Sequence, residues 1–369
     1  MLRAQPRCDE VRADAVCLSA MTCLTHGTHE RSDTARARAS GPLPTAASTR
    51  RYWIIFAILA VLAVGVVVGT MAWGNPMPVG SEGFWTIAQM RAKSLVVIVI
   101  VTFAQAVATV SFQTVTHNRI LTPGIMGFEA LYRLVQTGAV FLLGAAGVMT
   151  VTGIVPFLGQ VLVMVLFAGA LYGWLFAGQR GNLQVTLLVG IVIGGGLGAL
   201  STFMQRLLTP SEFDLLTARL IGSVALAKTE YLIPSVVLVG LAGGALWARS
   251  RKLNVLALGP QAATNLGINQ RRETLVVLLL TAVLMAVSTA LVGPMTFLGF
   301  LIAMIAYQLS DTYDHRYVFP MAWLVGIVVM AGAHFVLRHI FYAQGSVGII
   351  IELVGGGFFL FYILRKGRL

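Results

Sequence analysis

The sequence predicts an all-α polytopic membrane protein with about ten transmembrane helices. Of its 369 residues, 57% are hydrophobic and only 11% are charged, whereas a soluble domain carries about 25% charged residues. The apolar residues are gathered in runs close to the roughly 20 residues that a helix needs to cross a bilayer. Too little charge remains to cover a water-facing surface, so the chain is expected to be surrounded by membrane lipid.

Ten apolar segments are expected to span the membrane, and the eighth is short enough that neighbouring protein must shield it. In chain order they are Tyr52–Trp73, Ser94–Phe112, Ile125–Val148, Ile154–Phe176, Leu183–Leu207, Tyr231–Trp247, Leu275–Val292, Met295–Tyr307, Tyr317–Leu337 and Val347–Leu364. Ser211–Ala225 is amphipathic and broken by charge, which predicts a surface or re-entrant helix. Residues 51–369 therefore form one transmembrane domain.

Residues 1–50 have a different composition, rich in Arg, Ala, Ser, Thr and Pro without periodicity. They lack the apolar core of a signal peptide. We expect a disordered extension, or a gene start placed too early, with Met21 or a later codon as the true one. All three cysteines lie here, at Cys8, Cys17 and Cys23, and their spacing matches no zinc site, so no metal or other cofactor is expected.

The net charge of +12 does not indicate nucleic-acid binding, because Lys and Arg lie beside the apolar segments rather than on one face. With the N-terminus inside the cell, eleven Lys and Arg after residue 51 fall on the cytoplasmic side and six on the outer side. Cytoplasmic loops of membrane proteins carry this excess. Both termini are therefore predicted to be cytoplasmic.

Charges within the predicted spans are scarce. Glu129 and Arg133 are four residues apart on one helix, so they can pair, and the cost of an unpaired charge in the bilayer predicts either this pair or a wet interface. Glu352 has no evident local partner. A proton-driven carrier usually needs more such groups along its pathway. The sequence also contains no G-x-x-x-x-G-K-[ST] loop to bind ATP phosphates. The energy for any transport is expected to come from a separate protein.

Glycines crowd the fifth and tenth segments, at positions that include Gly190, Gly194 and Gly355. Small residues allow helices to approach closely in lipid. This pattern indicates either tight static packing or a helix that slides or bends along a pathway.

The polar stretch Leu258–Arg272 joins two apolar segments and has basic residues on both sides. On the predicted orientation it lies in the cytoplasm. It therefore indicates a docking surface for a soluble partner.

Several stretches between Tyr52 and Leu369 form a recognisable series, namely Ser111–Gly127, Leu258–Gly267, Gly293–Ala303, Asp314–Pro320 and Gly345–Ile350. In sequence and in order they resemble the FecCD-type permeases of ABC importers for iron–siderophore complexes, haem and vitamin B12. The first stretch is similar to a branch that serves catecholate-type siderophores, in which two non-identical permeases usually pair.

The resemblance implies a type II ABC importer permease-like fold in the bacterial plasma (inner) membrane. It implies an iron–siderophore complex as substrate, with an ABC ATPase dimer, a second permease subunit in a heterodimer and an extracytoplasmic siderophore-binding protein as partners. The chain itself would be a transport subunit and not an enzyme. Haem or cobalamin as cargo, a proton-driven secondary carrier, and a membrane scaffold without transport are the alternatives.

Site residues carry over from the family by position. The segment that couples the permease to the ATPase maps onto Leu258, Gly259, Ala262, Ala263, Leu266 and Gly267. Pro260 replaces an acidic residue of the family there, which is tolerable near a helix start. Docking of the binding protein maps onto Arg91 and Arg338, with Lys93 substituting for a second arginine. The cytoplasmic gate maps onto Gln184 and Val185.

Overall fold

The computed structural model describes residues 41–73, 80–150, 153–177, 183–224, 227–341 and 345–366. The chain divides into two units, Met1–Thr45 and Ala46–Leu369. The three cysteines and the alternative start at Met21 lie outside the described residues, so the predictions for them stay predictions. Among the described residues the first helix begins at Ala46, and the domain boundary at residue 50 stays a prediction. The opening alanines of this helix are the best helix formers among the amino acids.

Thirteen α-helices occupy the described residues, and no strand is found among them. We number them α1 (Ala46–Ala72), α2 (Glu82–Thr116), α3 (Phe128–Thr150), α4 (Ile154–Ala177), α5 (Leu183–Gln205), α6 (Pro210–Leu220), α7 (Leu232–Ala248), α8 (Ser250–Leu256), α9 (Pro260–Asn265), α10 (Gln270–Val292), α11 (Thr296–Ser310), α12 (His315–His339) and α13 (Val347–Lys366).

Nine of the described helices are long and apolar enough to cross a membrane. The shorter α11 is also apolar, and its 15 residues extend about 22 Å, less than the roughly 30 Å of a bilayer core. Most side chains of α11 are buried by neighbouring helices. Each of these ten helices overlaps one of the ten predicted segments, although α2 begins at Glu82, well before the predicted Ser94. The predicted fold class is confirmed.

The helices differ strongly in how far the protein buries them. In α2, 83% of the most apolar 18-residue stretch is buried within the protein, and in α10 the corresponding share is 67%. The shares for α1, α5 and α13 are only 11%, 17% and 22%. The helices α2 and α10 pack against each other and form the centre, whereas α1, α5 and α13 keep broad apolar faces for lipid or another protein.

Contacts between helix termini identify the two ends of the bundle. At one end, which we call the Asp314 end, Arg51 at the start of α1 pairs with Asp311 at 3.5 Å. At the other, the Trp73 end, His339 Nε2 at the end of α12 lies 3.3 Å from the Trp73 carbonyl oxygen. Asp314 caps the start of α12, where its side chain accepts from the Arg316 N–H at 3.0 Å.

Close helix packing on α5 depends on two of its glycines. A 3-10 turn at Pro123–Met126 leads into α3 and ends at Gly127, whose φ of +91° is a backbone conformation that glycine adopts readily. A side chain at Gly194 would place its Cβ 2.9 Å from the Gly127 Cα, and one at Gly190 would meet Met126. Around Gly195 and Gly196, by contrast, there is open space. The static-packing interpretation therefore holds for part of the glycine cluster.

The amphipathic segment between the fifth and sixth spans forms the short helix α6. Thr209 caps it, with its backbone N–H and hydroxyl donating to Glu212 Oε2 at 3.0 and 2.8 Å. These hydrogen bonds hold the pKa of the Glu212 carboxyl below its ordinary value. After α6, the Gly222 carbonyl accepts from the Gly348 N–H at 2.8 Å. This bond fastens the segment to the start of α13.

Candidate functional site

The stretch Leu258–Arg272 lies at the Asp314 end, because both helices that flank it are fastened there. Asn254 of α8 donates to the Asp314 carboxylate at 2.9 Å. Lys252 of α8 forms an ion pair with Glu273 of α10. The stretch is therefore held at its beginning and at its end.

Within this stretch, two glycines enclose the short helix α9. Gly259 precedes the helix with φ +104° and Gly267 follows it with φ +76°, conformations that cost a glycine little. Pro260 occupies the first position of α9, where its missing N–H removes no helical hydrogen bond. The sequence-based expectation for Pro260 is confirmed.

The six residues of the expected coupling segment face different ways. Leu258 and Leu266 are 68% and 62% exposed, although both are large and apolar. Ala263 is completely buried and Ala262 is half-buried, so the two alanines pack α9 onto the protein. A partner that docks here would meet the two leucines. Exposed basic residues precede and follow them in the chain, at Arg251, Arg271 and Arg272.

Arg91, expected at a docking rim, has another role in the structure. Its side chain is buried, with 4% exposed, and its Nη1 donates to the carbonyl oxygens of Thr70, Met71 and Trp73 at 3.1, 3.1 and 2.8 Å. Carbonyl groups at the end of a helix have no partner within it, and a cation there is favourable. Arg91 therefore caps the end of α1, a role that sequence reasoning did not find, and its assignment to the docking site stays a prediction.

The other two expected docking residues keep partial access to the surroundings. Lys93 lies two positions after Arg91, and Arg338 lies in the last turn of α12; both are half-buried. The positive charge of Arg338 lies close enough to Arg91 to repel it. Long basic side chains of this kind bury their stems and keep the charge outward. These two residues form what we call the basic rim of the Trp73 end.

The expected gate residues lie in the first turn of α5. Val185 is 49% exposed, and the side chain of Gln184 lies outside the described part of the chain. The gate assignment stays a prediction.

A polar cavity of about 580 Å³ lies between α3, α5, α6 and α13, and sequence reasoning did not find it. Arg133 and Glu352, both exposed, place opposite charges in its wall. Its other lining residues include Ser201, Thr202, Gln205, Thr217, Gly222 and Gly348. The sequence does show Arg133 and Glu352 as charges within spans, but no spacing pattern joins residues so far apart in the chain.

Glu129 does not form an ion pair with Arg133. It is 7% exposed, and its Oε2 accepts a hydrogen bond from the Thr296 hydroxyl at 2.6 Å. The ion pairs of the described residues do not include Glu129 with Arg133. The two side chains do not pair because Glu129 points inward to the start of α11, whereas Arg133 lines the cavity, the open surrounding that was the alternative to pairing. The hydrogen bond lowers the cost of burying a polar group.

Comparison with known proteins identifies the family. The model described as the FecCD transport family matches residues 53–366. The petrobactin import system permease protein FatC of Bacillus anthracis is 46% identical over 323 residues, which cover 87% of this chain and 90% of that protein. The petrobactin import system permease protein YclO of Bacillus subtilis (strain 168) is 36% identical over 278 residues, or 75% of this chain and 88% of that protein.

A solved structure has the same fold. It is described as an inward-facing conformation of a metal-chelate type ABC transporter, and it superposes with a TM-score of 0.72 at 24% sequence identity. The match covers 86% of this chain and all of that one. Because the family model matches residues 53–366, which are nearly all of the membrane domain, this chain belongs to the FecCD transport family.

Proposed function

We propose that this chain is the permease subunit of an ABC importer that moves iron–siderophore complexes into the bacterial cytoplasm. The observation that carries the proposal is the 46% identity to a petrobactin import permease over 87% of the chain. The bundle of apolar helices with a polar cavity between them supports it. The importer would act in the plasma (inner) membrane, and ATP hydrolysis would take place in a separate ATPase dimer.

The coupling surface for the ATPase dimer would be formed by Leu258 and Leu266, with the Asp314 end in the cytoplasm. Both side chains are more than half exposed, and burial of a leucine contributes about 1.5–3 kcal/mol. A short apolar helix that lies in a groove of a partner is a common mode of recognition.

The extracytoplasmic siderophore-binding protein would dock at the Trp73 end. Lys93 and Arg338 would meet acidic residues of that protein, because Arg91 is occupied by the end of α1. Charges at the edge of an interface mainly set the encounter rate and the register of the partners.

The translocation path would lie between this chain and a second, non-identical permease. The broad exposed faces of α5 and α13 support this interface, since only 17% and 22% of their apolar windows are buried within the chain. The cavity with Arg133 and Glu352 lies beside both helices and would form part of the path wall. Gln184 and Val185 at the start of α5 would narrow the path at its cytoplasmic end.

Uptake by the reconstituted importer tests this function. The complex is placed in proteoliposomes with its ATPase, partner permease and binding protein, and entry of ferric petrobactin is measured. We expect ATP-dependent uptake that an ATPase-dead partner abolishes and a protonophore leaves unchanged. Uptake that needs a proton gradient would show a secondary carrier. Uptake of haem or cobalamin but not of ferric siderophore would overturn the cargo assignment.

A further inference from the structure

Behind the expected coupling segment, one buried histidine joins three helices. The side chain of His315, the first residue of α12, is 4% exposed. Its Nδ1 lies 2.5 Å from Asn254 Oδ1 on α8, and its Nε2 lies 2.6 Å from Thr114 Oγ1 on α2. The imidazole ring therefore bridges α8 and α2 while it belongs to α12.

The surrounding hydrogen bonds determine which atoms of Asn254 and His315 are donors and which are acceptors. Asn254 Oδ1 accepts from the His315 backbone N–H at 3.0 Å, and Asn254 Nδ2 donates to Asp314 Oδ1 at 2.9 Å. A flipped amide would place its oxygen against the Asp314 carboxylate. The hydrogen between His315 and Asn254 is therefore on Nδ1. In a neutral ring Nε2 is an acceptor, and the single hydrogen of the Thr114 hydroxyl lies between it and the Val110 carbonyl oxygen.

The connection between α8 and α10 is of another kind. Glu273 of α10 pairs with Lys252 and, at 3.6 Å, with Arg249. The Lys252 side chain is 50% exposed and that of Glu273 is 14% exposed, so this connection is open to water on one side. The hydrogen bonds of His315 are shielded from water, and breaking them leaves buried groups unsatisfied. Of these two connections, the one through His315 is the more deeply buried.

The order of the helices along the chain indicates that movement of α9 would be carried to α8 and then towards α2. α8 ends at Leu256 and α9 begins at Pro260, so α9 can hardly move without α8. α2 is the most deeply buried of the long helices and packs against both α10 and α12. α8 in turn contacts α2 and α12, and the ring of His315 is the hydrogen-bonded link among these contacts.

We propose that His315 is a positioning residue that transmits movement of the coupling segment to α2 and α12. Asn254 receives the movement on α8, and Thr114 passes it to α2. The inference rests on the proposed function, because it takes α9 to be the site at which the ATPase dimer acts. Loss of the bridge is expected to leave the ATPase bound and active but to lower the amount of chelate imported per ATP hydrolysed.

Two threonines in the last turn of α2 provide a matched test. Thr114 and Thr116 are 8% and 9% exposed, and each hydroxyl lies 2.8 Å from the carbonyl oxygen four residues earlier. Only Thr114 also reaches His315. Thr114→Val and Thr116→Val remove the same hydroxyl from neighbouring sites, so that the difference between them reports the bonds of Thr114 to His315 and Tyr307. The comparison of His315→Gln with His315→Ala isolates the bond to His315.

The measurement is ferric petrobactin imported per ATP hydrolysed, by the complete importer in proteoliposomes. We expect the ratio to fall about fivefold for Thr114→Val, as the loss of one hydrogen bond predicts, and to stay unchanged for Thr116→Val. His315→Gln, which keeps an amide group within reach of Thr114, is expected to retain more coupling than His315→Ala. If Thr114→Val fails to assemble, the two His315 variants decide the question.

Equal ratios for Thr114→Val and Thr116→Val, with normal wild-type uptake, would overturn the inference and leave the proposed function intact. In the two His315 variants, equal loss of coupling would have the same meaning. Absence of uptake by the wild-type importer would instead refute the proposed function. The wild-type sample in the same series therefore separates the two failures.

Discussion

At the scale of single residues, Arg91 shows how a buried cation stabilises a helix end. Its guanidinium contacts three carbonyl oxygens after or within the last turn of α1. Neither water nor the helix itself can readily replace these bonds in a buried site. The end of α1 depends on one side chain from α2.

Arg91→Ala is expected to lower the free energy of unfolding by about 2–3 kcal/mol, since it leaves buried carbonyl groups without a donor. Thermal unfolding of the purified permease in detergent measures this effect. The matched control is Lys93→Ala, because Lys93 is half-buried and lies on the same helix. Equal shifts for the two variants would contradict the capping role.

The basic rim leads to a different prediction. Replacement of both Lys93 and Arg338 by Glu is expected to slow association of the siderophore-binding protein at low salt. The effect should shrink as salt is added, because charges interact over only about 10 Å at 0.1 M ionic strength. Surface plasmon resonance measures the association rate, and Arg251→Glu at the Asp314 end is the control. A decrease that does not depend on salt would argue against a charge-guided encounter.

At the scale of helices, the glycines of α5 differ in what surrounds them, although the sequence presents them as one cluster. Gly194 packs against the backbone of Gly127, whereas Gly196 is open. The sequence predicts that α5 is a span, because length and apolar composition are sufficient for that. It does not predict which glycines pack, because that depends on the loop at Pro123–Met126, which folds back against α5.

Gly194→Ala and Gly196→Ala are expected to change stability in opposite directions. At Gly194 the new Cβ would lie 2.9 Å from a backbone atom, and such overpacking costs about 1–3 kcal/mol. At Gly196 it meets nothing within 4 Å, and alanine in a helix is favoured over glycine by about 0.5–1 kcal/mol. Thermal unfolding of the isolated permease measures both. Shifts of the same sign and size would refute the close packing of Gly127 against α5.

The helix α9 permits a test of the coupling surface. Leu258→Asp and Leu266→Asp are each expected to weaken ATPase binding at least about tenfold, because each removes a buried leucine from the interface. Co-purification of the ATPase at graded concentrations measures the affinity. Gln261→Asp is the control, since Gln261 is exposed on α9, between the two leucines in the chain. Normal binding by both leucine variants would exclude this surface.

Ala263→Asp should act differently from the two leucine variants. Ala263 is completely buried, so a carboxylate there would have to be buried without a partner. The expected result is a lower yield of folded permease, measured by fluorescence-detected size exclusion. A normal yield would show that α9 is not packed as the structure has it.

At the scale of the whole molecule, the sequence predicted the order of spans but not the cavity between them. The spans follow from a physical limit that acts on each segment separately, the thickness of the bilayer. The cavity depends on how α3, α5, α6 and α13 are arranged, which brings Arg133 and Glu352 to one wall. For the same reason the inward direction of Arg91 and Glu129 could not be predicted, because it is set by helices distant in the chain.

The orientation of the whole bundle is predicted from its Lys and Arg distribution, which places the Asp314 end in the cytoplasm. The sequence contains three cysteines, at Cys8, Cys17 and Cys23, so their replacement by Ser gives a background for single-cysteine variants. Leu258→Cys marks the Asp314 end, and Ile340→Cys, at a side chain 63% exposed, marks the Trp73 end.

A membrane-impermeant maleimide applied to intact spheroplasts is expected to label Ile340→Cys and to leave Leu258→Cys unlabelled until the membrane is permeabilised. Gel shift of the purified protein measures the labelled fraction. Labelling of Leu258→Cys alone in intact spheroplasts would invert the bundle. The two exposed leucines would then face away from the compartment that supplies ATP, and neither the coupling surface nor the transmission through His315 could stand.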